Sequence, residues 1–205
     1  MGVASFLTTS DGEQVGNPRH LAASAGKLAT AQRDLARKKR GSKRRRKAIA
    51  RVAALHSKVR RQRLDGAHKA ANALIRGYDM IVHEDLRIAN MTKRPAQKPD
   101  GEGGFLPNRA AAKAGLNKSI LDASWGVFLT VLAHKAESAG RELIAVNPAH
   151  TSRTCARCGH CAKENRLTQA EFACTACGHA AHADVNAAKN ILRAGLALRR
   201  AAEAA

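Results

Sequence analysis

Two short cysteine pairs near the C-terminus constrain this chain more than any other feature. Cys155-Ala-Arg-Cys158-Gly159 and Cys174-Thr-Ala-Cys177-Gly178 repeat one C-x-x-C-G pattern, fifteen residues apart. Each pair lets two sulfurs from one tight turn reach the same ion, and the glycine relieves the backbone at that turn. Four thiolates satisfy a tetrahedral Zn²⁺ and leave no open position. The expectation is a structural zinc ribbon at 151–181 that is too small to hold itself together without metal. Cys161, His160, His179 and His182 stand near enough in sequence to substitute for a ligand, but the expected set is Cys155, Cys158, Cys174 and Cys177. An odd cysteine count of five argues against a disulfide scaffold and suits a reducing, cytoplasmic setting.

Charge speaks about partners. Lys and Arg number 36 against 16 acids, a formal net charge of +20. A field of that size attracts polyanions, with nucleic acid the first candidate. A membrane surface is a poor second, because no apolar run approaches the roughly 18 residues of a spanning helix, and no membrane partner is expected. The positive charge is concentrated. Between Lys27 and Arg63 there are sixteen Lys or Arg and one acid, Asp34. A face so dominated by one sign repels itself unless an anion meets it. The contact residues expected there are Arg37, Lys38, Lys39, Arg40, Lys43, Arg44, Arg45 and Arg46.

Periodicity supplies the architecture. Val3 to Thr9 reads as a strand, Ser10 to Glu13 as an Asp-Gly turn, and Gln14 to Asn17 as a return strand stopped by Pro18. Residues 20–77 read as two basic helices joined at Gly41-Ser42, with Leu28, Leu35, Ile49, Val52, Leu55, Val59 and Leu64 at helical spacing. Tyr78 to His83 is a short buried strand, and 91–108 is a Pro- and Gly-rich loop. Asn117 to Ala139 reads as one helix ended by Gly140, Arg141 to Val146 as a second buried strand, and Val185 to Arg200 as the last helix. Strand, helix, strand with an apolar second strand implies a parallel crossover in an α/β layer. With aromatics at only 3 %, the core is expected to be Ala, Leu, Ile and Val.

Two carboxylates stand at places where chemistry is often built. Glu84 closes the first buried strand, at the carboxyl end where α/β sheets carry their sites. Asp184 opens the last helix, where an N-cap is the plain alternative. Their surroundings add a resemblance. Met80-Ile-Val-His-Glu84-Asp85-Leu86, Asn147-Pro148-x-x-Thr151-Ser152-x-Thr-Cys155-x-x-Cys158-Gly, Phe172-x-Cys174-x-x-Cys177-Gly and His182-x-Asp184-x-Asn186-Ala-Ala-x-Asn190-Ile191 are similar to segments of the transposon-encoded TnpB, or OrfB-type, proteins. These are relatives of the type V CRISPR nucleases. The basic hairpin and Ser119-Ile-Leu-Asp-x-Ser-Trp125 fit the same family, so the likeness runs over essentially the whole chain.

The resemblance implies a RuvC/RNase H-like α/β domain over 1–150 with a basic helical hairpin inserted at 20–77, a zinc ribbon at 151–181, and a helix at 182–205 that completes the domain. It implies DNA and guide RNA as partners, and Mg²⁺ or Mn²⁺ held by three acids, of which Glu84 is the second and Asp184 the third. The family's first acid sits in a Gly-hydrophobic-Asp-x-Gly-hydrophobic strand. Gly2-Val3 matches its second half, so the aspartate would fall one position before Met1. The expectation is therefore a truncated reading frame or a start assigned too late, and a polypeptide that binds DNA without cutting it. A non-catalytic zinc-ribbon nucleic-acid-binding module is the alternative.

Overall fold

The computed structural model describes residues 1–204. In chain order the elements are β1 (Ser5–Thr8), β2 (Gln14–Gly16), α1 (His20–Ala36), α2 (Lys43–Gly77), β3 (Met80–Glu84), α3 (Ile88–Met91), β4 (Lys98–Pro99), β5 (Phe105–Leu106), α4 (Ala110–Ala123), α5 (Trp125–Ser138), β6 (Glu142–Val146), β7 (Glu171–Ala173), β8 (Ala180–His182) and α6 (Ala183–Glu203). They fall into two compact units. One comprises Met1–Asn17, Asn72–Arg87 and Ala133–Ala205, the other Pro18–Ala71 and Ile88–Leu132.

In the first unit, β3 pairs in parallel with β6 from Met80 opposite Glu142 to Glu84 opposite Val146. This is the crossover expected from two apolar strands separated by helix. Asp85 N–H continues the ladder to the Val146 carbonyl at 2.8 Å. The Asp-Gly turn forms as expected between β1 and β2, with Gly12 at φ 95°. The last helix, α6, packs on β3 and β6 at very short range. A Cβ placed on Gly195 would lie 3.1 Å from Val82 Cβ and closer still to both Val82 methyls, so only glycine fits at this crossing. Ile81, Val146 and Ile191 are buried in this unit.

The second unit buries alanines together with Ile120, Trp125, Phe128 and Leu132, so aromatic side chains enter a core expected to hold only Ala, Leu, Ile and Val. The buried stripe of α2 includes Ala48, Val59, Ala67, Ala70 and Ala71, whereas Ile49 and Leu64, expected inside, are 48 % and 41 % exposed. The segment expected as one helix from Asn117 is two. It begins earlier, at Ala110, and breaks at Ser124, which adopts φ 56°. Asp122 explains what this bend positions. Its carboxylate accepts from the Leu21 N–H at 2.9 Å and the Ala22 N–H at 3.1 Å, and is gripped by the Arg63 guanidinium at 2.8 Å. Leu21 and Ala22 are orphan donors in the first turn of α1, where Arg19 at the N-cap has no acceptor to offer. Asp122 thus caps α1 from a distant helix. Burial would raise its pKa, but the Arg63 hydrogen bonds and the two backbone donors hold it below the ordinary 3.8.

Candidate metal centre and carboxylates

The two knuckles are copies in backbone as well as in sequence. Cys155 N–H donates to His160 O and Cys174 N–H to His179 O, each at 2.9 Å. Gly159 N–H returns to Cys155 O, and Gly178 N–H to Cys174 O. Both glycines need the left-handed region, with φ 81° and 69°, which accounts for the fifth residue of each motif. The four sulfurs come together, all within 4.8 Å of one another, with Cys155 Sγ 3.8 Å from Cys177 Sγ and Cys158 Sγ 3.6 Å from Cys174 Sγ. Sulfurs on a tetrahedron with ~2.3 Å metal–sulfur bonds stand about 3.8 Å apart, so this donor set fits such an ion. Burial opposes ionisation of Cys174, yet the backbone N–H groups of Cys177 and Ala176, with the Cys158 thiol, bring its pKa down to about 6. Among the described residues this is the only group of three or more Cys, His, Asp or Glu so converged, and Cys161, His160, His179 and His182 are outside it.

Asn165, fully buried, stitches the knuckles together. Its amide donates to Arg153 O and His160 O, and its oxygen accepts from Thr175 N–H and hydroxyl. The Asp184-x-Asn186-x-x-x-Asn190 spacing has a similar physical reason. Asn186, on α6, accepts from Ala156 N–H at 2.8 Å and donates to Thr154 O at 2.8 Å. Asn190, one turn further, donates to Thr151 O and Thr154 O. The two amides satisfy the irregular backbone that leads into the first knuckle.

Glu84 lies at the end of β3 with its side chain 16 % exposed. Its Oε1 accepts from the Thr151 hydroxyl at 3.2 Å, and its Oε2 stands 3.7 Å from the Met1 ammonium. Asp184 is not the cap of α6. That place belongs to His182, whose Nδ1 accepts the Asp184 N–H at 3.2 Å. The Asp184 carboxylate is therefore spared capping duty, and its Oδ1 is 3.7 Å from Arg166 Nη2. Glu84 and Asp184 share no cluster of three ligating groups among the described residues. A hydrogen-bond chain runs from Glu84 to the Thr151 hydroxyl, and from the Thr151 carbonyl to Asn190, which lies on the helix that Asp184 opens. Thr151 stood in the sequence pattern without a role. Arg166 gave no signal, because its pairing spans the ribbon.

In the basic hairpin, two of the expected contact residues are engaged within the protein. Lys38 pairs with Asp34 at 2.8 Å. Arg45 Nη1 donates to Leu35 O and Lys38 O, closing the C-terminus of α1. No ion pair involves Arg37, Lys39, Arg40, Lys43, Arg44 or Arg46 among the described residues.

The fold is of the Cas12 type: a cryo-EM structure of a Cas12f1–sgRNA–target DNA complex superposes with a TM-score of 0.53 at 20 % identity, over 87 % of this chain and 43 % of that one. Residues 1–95 match the family model described as "Probable transposase", of OrfB type, and residues 125–191 match the Cas12f1-like TNB domain, which ends at the Asn190-Ile191 pair. The "Putative RNA-guided DNA endonuclease InsQ" of Escherichia coli (strain K12) is 42 % identical over 96 % of this chain and 48 % of its own length. An RNA-guided DNA endonuclease of Streptomyces pristinaespiralis, also named as putative, is 36 % identical over 96 % of this chain and 44 % of its own. Over nearly its whole length the chain is thus similar to proteins of the OrfB/TnpB type. It spans about half the length of these relatives. No helix among the described residues is long and apolar enough to cross a membrane.

Proposed function

We propose that this chain is the nuclease-side portion of an RNA-guided, metal-dependent DNA endonuclease of transposon origin, with a RuvC-like arrangement of β1, β3, β6 and α6. The observation that carries the proposal is the hydrogen-bond chain from Glu84 through Thr151 to Asn190, joined to an Asp184 carboxylate left free of capping. Glu84 and Asp184 are the groups that would hold Mg²⁺ or Mn²⁺, hard ions that prefer oxygen donors. When bound, such ions activate water and stabilise the leaving oxygen of a phosphodiester. Thr151 fixes the orientation of Glu84 by donating to one carboxylate oxygen. Arg166, on the ribbon, is a cation poised at the other acid, where it can neutralise either Asp184 or a phosphate.

The ribbon cysteines would hold Zn²⁺ in a structural role, and the hairpin residues Arg37, Lys38, Lys39, Arg40, Lys43, Arg44, Arg45 and Arg46 would meet guide RNA or DNA in the cytoplasm. The division into a domain over 1–150, a ribbon at 151–181 and a closing helix at 182–205 belongs to this reading.

A second reading is binding without cleavage, favoured because the Asp184 carboxylate already has the Arg166 guanidinium within ion-pair distance. A nicking assay on labelled DNA with Mg²⁺ or Mn²⁺ separates them. Cleavage by this chain that disappears in Glu84→Gln supports the nuclease. Salt-sensitive binding with no product supports the module.

A further inference from the structure

A second concentration of charge lies away from the carboxylates, between the two helices of the basic hairpin. Thr30, Arg33, Asp34 and Arg37 fall on one face of α1 at spacings of three and four residues, and Arg51 reaches across from α2. Together they line an open cleft of about 340 Å³. This is at the small end of ligand-sized cavities, which run from roughly 300 to 1,000 Å³.

Its electrostatics are unbalanced. Asp34 is the only acid in the lining, and Lys38 already neutralises it at 2.8 Å. Arg33, Arg37 and Arg51 have no carboxylate within 4.0 Å among the described residues. Asp34 is held below its ordinary value by the Lys38 hydrogen bond first, and by the charges of Lys38, Arg51 and Arg37 besides. Three such groups facing one neutralised acid repel each other, and a partner anion removes that cost.

The donors are also arranged. Arg33 Nε donates to Ala29 O and its Nη2 to Thr30 Oγ1, both at 3.4 Å, which pins this guanidinium along α1. Thr30 Oγ1 accepts in that contact, so its own proton is left to donate into the cleft. A hydroxyl and several guanidinium forks from two helices match the tetrahedral oxygens of a phosphate group.

We propose that the α1–α2 cleft formed by Thr30, Arg33, Arg37 and Arg51 is a phosphate-binding site that seats one phosphodiester of a nucleic-acid backbone and fixes the strand's register on the hairpin. The site rests on the reading of the hairpin as a nucleic-acid contact, and goes beyond it. Arg33, Arg51 and Thr30 lie outside the run at 37–46, and they would act as a seat rather than as diffuse charge. Phosphate contacts of this kind position a strand without reading its sequence.

Fluorescence anisotropy on the full chain tests this with labelled single-stranded RNA, single-stranded DNA and duplex DNA of one length, across a salt series. The cleft variant is Arg33→Gln with Arg51→Gln. The tip variant is Arg40→Gln, Lys43→Gln, Arg44→Gln and Arg46→Gln, which spares Arg45 in its capping role. All six positions are solvent-exposed, and thermal melts verify the fold. The cleft variant is expected to weaken binding by about tenfold or more, the scale of losing one or two hydrogen bonds to a charged group. Its log–log salt slope should become shallower by roughly 0.7–0.9, one phosphate's worth. Arg51→Lys, which keeps the charge but loses the fork, should retain the slope and lose part of the affinity. The probe whose affinity falls most identifies the strand that the cleft holds. If the cleft variant stays within twofold of wild type while the tip variant weakens, the seat is wrong and the hairpin reading stands. If neither variant weakens, both are wrong.

Discussion

Replacing Asp122 by alanine tests how the second unit is held together. The carboxylate is 6 % exposed and serves three donors at once: the Leu21 and Ala22 N–H groups and the Arg63 guanidinium, itself 23 % exposed. Asp122→Ala leaves that guanidinium without its acid in a partly dry place, for which breaking a buried pair costs about 3–5 kcal/mol. It also uncaps α1, a loss of about 1 kcal/mol for an ordinary N-cap. The two terms overlap, because both count the same carboxylate. We therefore expect about 3–4 kcal/mol, at the lower part of the summed range because Arg63 can turn partly to water.

Urea denaturation gives the total, and hydrogen exchange at Leu21 and Ala22 reports the cap directly. Asp122→Asn, which can still accept from one N–H, should cost less. The pH dependence has a fixed sign. The folded pKa lies below the ordinary 3.8, so the stabilisation is fully present above that value and is lost as pH falls through the folded pKa. A loss under about 1 kcal/mol at neutral pH, or equal stability differences at pH 7 and pH 2, would refute remote capping as the organising contact.

Other consequences are sharper in sign than in size. Cys174→Ser should lower bound zinc from one ion per chain towards none and unfold the ribbon, seen as lost amide protection at Cys155 and Thr175; retained stoichiometric zinc would contradict the ligand set. Gly195→Ala pits two effects against each other, a helix-propensity gain of about 1 kcal/mol against overpacking on Val82 of about 1–3 kcal/mol. Net destabilisation is expected, relieved in the double variant with Val82→Ala, and a more stable single variant would show that the α6–β3 crossing is looser than described. Asn165→Ala removes one donor from each of the Arg153 and His160 carbonyls and the acceptor of two Thr175 donors, and should lower the affinity of the ribbon for its metal, measured by competition with a chelator.

Local signals were the readable ones. The knuckles, the Asp-Gly hairpin, the two apolar strands and the break near Gly41 all depend on residues close in sequence, and each stands where its pattern put it. Misreadings came from contacts across the chain. Ser124 breaks a helix whose periodicity continues through it, because the bend places Asp122 under α1. On α2 the larger apolar residues suggested one face, whereas the buried stripe is mostly alanine. Asp184 looked like a cap because aspartate caps well, but a histidine two residues earlier took the role. Thr151 and Arg166 touch the two acids from segments 67 and 18 residues away, a separation that no local pattern encodes.

The proposed nuclease chemistry requires that Glu84 and Asp184 hold hard divalent cations. Titration with Mn²⁺, followed by the loss of its free-ion electron paramagnetic resonance signal, reads this without requiring cleavage. Saturable Mn²⁺ binding that is markedly weakened in Glu84→Gln and again in Asp184→Asn, with the zinc content unchanged, is the predicted result. Mn²⁺ binding in both variants indistinguishable from wild type would contradict the assignment of these carboxylates.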